Sequence, residues 1–124
     1  MKSLCIEKGK IEGYEYRLEQ NDTHYCVYVG VSKEHPKFNE RVDLYWMSDN
    51  ETDAPCVHRG LSYSGKIKGS RLWYLGWDYG HYCDLIDQTS GGSFRCKKPS
   101  REQYMEDIKE CVTWLKRKEG GENI

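Results

Sequence analysis

Long hydrophobic runs are missing from this chain. The opening residues Met1–Lys8 are broken by charge, so they lack the apolar core of a secretory signal. No later stretch approaches the roughly 20 apolar residues that a membrane-spanning helix needs. Both absences predict a cytoplasmic protein with no membrane partner. The six cysteines include no Cys-x-x-Cys pair, which removes zinc ribbons and thioredoxin-type redox sites. There is no internal repeat, no low-complexity tract, no phosphate-cradling glycine loop and no nucleophile elbow. The formal net charge is −1, so no global field draws the protein to nucleic acid or membrane.

What is present fits one domain. The chain has 124 residues, within the range of a single fold, and the reading is one α+β domain over residues 1–119 with a frayed tail at 120–124. Two Phe stand beside ten Tyr and four Trp. Tyr and Trp join a large apolar body to a polar tip and suit half-buried sheet faces. In a reducing compartment the thiols stay free, and Cys26 and Cys111 fall in periodic apolar patterns as small core residues. Charge is uneven. Residues 34–53 hold six acids against two bases, and residues 95–118 hold eight bases against four acids. An acidic stretch of this kind is ordinarily a solvated face, but it also suits a basic, nucleic-acid-binding partner protein.

The pattern starts as β structure. Tyr14, Tyr16 and Leu18 alternate with charged residues, a turn follows at Glu19–Asp22, and His24–Val31 is the next strand. Tyr25, Val27, Val29 and Val31 line one of its faces; Cys26, Tyr28 and Gly30 line the other. Pro36 breaks the pattern and biases His35 away from helix. Val42–Met47 reads as a short strand or helical turn, and Ser48–Pro55 as a loop. Cys56–Tyr63 and Arg71–Asp78 read as strands joined by a glycine-rich turn. The end is an amphipathic helix. Ser100 with Gln103 forms a capping box; Tyr104, Ile108, Cys111, Val112 and Leu115 make the apolar stripe; Lys116, Arg117 and Lys118 suit its negative end; Gly120 stops it. The fold class expected is α+β, a mainly antiparallel sheet with one C-terminal helix packed on it. In that arrangement Tyr and Trp dress the face away from the helix.

The chemistry-bearing set is His58, Asp78, His81 and Asp84. Two neutral imidazoles and two carboxylates balance a divalent cation, and mixed N/O ligands in a four-coordinate shell suit zinc at about 2.0–2.2 Å. Asp78, His81 and Asp84, spaced by three, share one side of a tight turn, and Gly80 lets the chain bend before His81. Cys56 and Cys83 compete as softer ligands. The ordinary alternative is a capping Asp78, a loop His81, a solvated Asp84 and a hydrogen-bonded His58. Four protein ligands close the shell, so the expectation is one structural zinc per chain and no catalysis. Were one ligand missing, the site would open for water, giving a metal-dependent hydrolase or a sponge for a phosphate-containing signal, with Lys66 or Arg71 near the substrate. His35 reads as a turn residue before a catalytic base. Lys66, Lys68 and Arg71 interleave with Tyr63, Trp73 and Tyr74, the composition of a single-strand nucleic-acid platform, but a charged hairpin is the simpler reading and no direct nucleic-acid contact is expected.

Val29-Gly30-Val31 followed by His35-Pro36, then Val57–Gly65, then Trp73–Asp84, resembles a group of small phage and prophage proteins. The resemblance spans residues 25–85. It departs at Arg59, where the family often has Gly, and at Tyr79, where it often has Cys; His58, Asp78, His81 and Asp84 match. The resemblance implies phage accessory biology, and such proteins include anti-CRISPR inhibitors. The function expected is a stoichiometric, monomeric or weakly dimeric binding protein in the host bacterial cytoplasm. It would contact a CRISPR effector nuclease or another host defence protein and block guide or target loading.

Overall fold

The computed structural model describes residues 4–21, 24–41, 54–58, 60–80, 85–86, 95–96 and 99–120. Val42–Met47, His81 and Asp84 lie outside them. Five strands form one antiparallel sheet: β1 (Leu4–Ile11), β2 (Tyr14–Gln20), β3 (Tyr25–Val31), β4 (Tyr63–Lys66) and β5 (Trp73–Asp78), in the spatial order β1-β2-β3-β5-β4. Two short strands, β6 (Leu85–Ile86) and β7 (Arg95–Cys96), pair with each other. Helix α1 (Arg101–Glu119) follows. The α+β class expected from the sequence is what the chain adopts.

The first hairpin turns through Glu12 and Gly13, with φ of 50° and 90°. Two consecutive positive φ values make a type I′ turn, whose twist matches the flanking strands. The strand before it, β1, was not resolved as an element by the sequence pattern, because Lys8-Gly9-Lys10 interrupts the apolar alternation. The segment Cys56–Tyr63, expected as a strand, is instead a pair of turns. Gly60 takes φ 78° and its N–H returns to the Val57 carbonyl at 2.9 Å. Such a φ cannot continue a strand, so bonding to β5 begins only at Ser62, whose N–H donates to the Gly76 carbonyl at 2.8 Å, and the ladder at Tyr63. Val57 and Leu61 from these turns are still buried in the core.

Strand alternation divides the sheet into two faces. Leu18 pairs with Val27, Tyr16 with Val29, Val27 with Trp77 and Val29 with Leu75. These residues meet Ile108, Cys111, Val112, Trp114 and Leu115 of α1 in one core. Ser100 caps the helix by accepting from Gln103 N–H, and Gly120 closes it at φ −79°, an ordinary backbone angle that does not require glycine. The aromatic residues were expected mainly on the far face, but Tyr16, Trp77, Tyr79, Tyr104 and Trp114 lie within the core. With only two Phe in the chain, Tyr and Trp supply its bulk. Their polar tips find partners within it, as Trp77 Nε1–H donating to the Tyr79 hydroxyl at 3.2 Å illustrates.

Candidate functional site

Asp78 ends β5 on the face away from α1, opposite Cys26. Its carboxylate accepts from Gly80 N–H at 3.0 Å and from the Ser62 hydroxyl at 3.2 Å. His58 sits on the helix side. Its ring stacks on Tyr79 with centroids 4.8 Å apart and planes 17° from parallel. The Tyr79 hydroxyl donates to Asp107 Oδ2 at 2.7 Å, and His58 N–H approaches the same oxygen at 3.4 Å. Of the proposed metal set, the His58 imidazole and the Asp78 carboxylate therefore face opposite sides of the sheet at the end of β5. His81 and Asp84, the other two, lie outside the described residues, as does the competing Cys83. Among the described residues no group of three or more His, Cys, Asp or Glu is placed to hold a metal ion.

A different polar group shares the face of Asp78. Asn21 Oδ1 accepts from His24 N–H at 2.8 Å, which fixes the amide orientation. Its Nδ2 then lies 3.3 Å from His24 Nε2 and 3.7 Å from Cys26 Sγ. A donor on Nε2 leaves the ring proton on Nδ1. The Asn21 amide stands between imidazole and thiol, which differs from a nucleophilic pair, where the base must reach the thiol itself. The Tyr28 hydroxyl is held protonated well above its usual range, first by burial and then by Cys26 beside it. Sequence reading missed His24. Its signal was the Asn21-x-x-His24 spacing across a turn, which favours a side-chain-to-backbone bond.

His35 is a buried pin. Its Nε2 lies 2.9 Å from the Leu115 carbonyl, and its Nδ1 accepts from Lys37 N–H at 3.0 Å. Both nitrogens are engaged, so the ring fastens the 32–40 loop to α1 in the Nε2–H tautomer. Around it Glu12, Tyr14, Ser32, Glu34 and Glu119 line a half-open surface pocket of about 230 Å³.

The basic and aromatic hairpin keeps its rings occupied. Tyr63 packs edge-on to Tyr28 at 5.2 Å, Trp73 leans on Phe38 at 6.2 Å and donates to the Glu40 carbonyl, and Tyr74 lies 5.5 Å beneath the Arg17 guanidinium. Lys66 sits 5.2 Å over Phe38.

The outer edge of the sheet is different. On β1, Leu4 is 66% exposed and Ile6 38%, and Cys5 is exposed between them. Lys8 and Lys10 follow on the face away from α1, opposite Arg17 and Glu15. Glu7, on the other face, ties the strand to the helix: it accepts from the Tyr16 hydroxyl at 2.7 Å, from Arg101 at 3.0 Å and from the Tyr104 hydroxyl. These bonds, that of Tyr104 foremost, pull its carboxyl down from 4.5 to about 2.

Among the described residues the fold is thus α+β, one helix on a five-stranded antiparallel sheet with β1 at one edge. Comparison with family models, with curated proteins and with solved structures returns no match for this chain. No helix among the described residues is long and apolar enough to cross a membrane.

Proposed function

We infer that the chain is a stoichiometric binding protein of the phage anti-defence type that engages an RNA-guided CRISPR effector nuclease. The observation that supports binding is the edge strand β1, with Leu4, Cys5 and Ile6 exposed side by side. The backbone of an edge strand and the apolar side chains exposed on it are what another chain can pair with and cover. The choice of a nuclease rests on the similarity of residues 25–85 to small phage proteins and on the acidic run 34–53. In the described part of that run Glu34 is exposed, and Glu40 pairs with Lys37 at 3.1 Å. A structural zinc belongs to this proposal with Asp78, His81 and Asp84 as candidate ligands; since His58 stacks on Tyr79, Cys83 is the donor left to close the four-coordinate shell.

The test is a cleavage assay. Purified chain is incubated with guide-loaded and guide-free CRISPR nucleases from several classes before target DNA is added. Loss of cleavage by at least one nuclease, with co-elution of the two proteins, is expected. Full cleavage by every nuclease in either order of addition would overturn the reading.

A further inference from the structure

We propose that β1 docks an extended, acidic segment of a partner protein, which adds as a further strand beside Glu7–Ile11. This deepens the binding reading above and rests on it. Among the described residues β1 is the outermost strand of the sheet, paired only with β2. Its outer row of backbone N–H and C=O groups is the template that strand addition uses.

The register decides which occupant fits. A bulge interrupts β1 between Cys5 and Glu7, and from Glu7 to Ile11 the pairing with β2 is regular. A second copy joining here would be related by a two-fold axis that keeps like faces together. The register that pairs the whole regular segment centres on Gly9 and sets Lys8 against Lys10 on both sides of the axis. Like charges directly opposite destabilise a ladder. Registers displaced toward Leu4 run into the bulge, where the alternation of faces is broken. Self-pairing is therefore disfavoured by the sequence of the strand itself.

The same two lysines suit an acidic partner. They sit two residues apart on the face away from α1, so a strand with Asp or Glu at alternate positions meets both. Lys8 Nζ is 3.7 Å from Glu15 and its side chain is 54% exposed, a loose contact that leaves it available. Lys10 is exposed beside the same acid. Leu4 and Ile6, beyond the bulge, would be covered by the end of the incoming segment.

The experiment uses the full chain labelled for amide hydrogen exchange and three peptides: one alternating Glu with Val and Thr, the same peptide N-methylated at the amides that would pair, and a counterpart with Lys in place of Glu. The Glu peptide is expected to slow exchange at residues 7–11 by about tenfold or more, and the other two to leave it unchanged. The double variant Lys8→Glu, Lys10→Glu should lose the Glu peptide and gain the Lys peptide, with a retained cooperative unfolding transition as the folding control. Equal binding of the N-methylated peptide, absence of protection at residues 7–11, or a peptide-free dimer protecting the same amides would each overturn the proposal. Nuclease inhibition is scored separately: inhibition that persists when the peptide fails overturns the β1 assignment alone, and peptide capture without inhibition overturns the nuclease alone.

Discussion

Tyr28 lies across Gly76, the residue directly opposite it on β5. A methyl group on Gly76 would stand 2.6 Å from the Tyr28 ring and 2.8 Å from the Val27 carbonyl oxygen. The same device recurs at Gly30 beneath Tyr74 and at Gly9 beneath Tyr16, each a cross-strand pair. A flat ring over a bare backbone restores the contact that glycine lacks in a strand.

Gly76→Ala should therefore destabilise the fold by about 1–3 kcal/mol, the usual range for overpacking. Gly30→Ala should cost less, because its close neighbours are the side chains of Leu72 and Tyr74, which can shift where the Val27 backbone cannot. Urea unfolding of the two variants gives the order; a larger loss at Gly30 would contradict it.

Acid should weaken the β1–α1 junction. Glu7 is held at about 2 against an ordinary 4.5 by Tyr104, Arg101 and Tyr16. A carboxyl depressed in the folded state adds stability that is complete above 4.5 and fades as pH falls toward 2. Melting temperature measured across that window should fall less steeply in Glu7→Gln than in the parent chain. Tyr104→Phe should move the Glu7 titration upward, as followed by carboxyl NMR. An unshifted titration would remove Tyr104 as the principal cause.

His58→Ala should lose the stacked contact with Tyr79, worth about 0.5–1.5 kcal/mol beyond the area buried. Because His58 and Asp78 lie on opposite sides of β5, metal content of protein purified without a chelating tag should be the same in His58→Ala as in the parent. If the turn after β5 holds zinc, His81→Ala should reduce it. Loss of metal in His58→Ala would show that the imidazole reaches the ion after all.

Thiol labelling should separate the cysteines. Cys5 and Cys56 are exposed, Cys26 and Cys111 are buried, and burial pushes the Cys111 thiol far up. The thiolate is the reacting form. Brief alkylation at neutral pH followed by mass spectrometry should modify Cys5 and Cys56, and reach Cys111 only after unfolding. Early modification of Cys111 would mean that α1 opens locally.

Much of the fold was legible in the residues. The period-two pattern of Tyr14–Leu18 and Tyr25–Val31 and the 3.6-residue stripe from Tyr104 to Leu115 each record one buried face, and both faces lie where the patterns put them. β1 was hidden because an edge strand buries little and keeps lysines in place of an apolar alternation. Cys56–Tyr63 misled because its apolar residues are buried without being paired, and the positive φ of Gly60 leaves no mark in a pattern of hydrophobicity. His58 and Asp78 share a plausible ligand chemistry, but the face on which each side chain falls depends on the register of β5 and on the turn at Gly60. Residue spacing cannot carry that. His24 and Asn21 came together through a turn for the same reason.

The binding reading meets its most direct test in a titration. Nuclease at a fixed concentration well above its dissociation constant is mixed with increasing amounts of the chain, and residual target cleavage is measured at several incubation times. Residual activity should fall linearly to an equivalence point that does not move with time. Inactivation by substoichiometric chain that deepens with incubation would show turnover and contradict a binding protein.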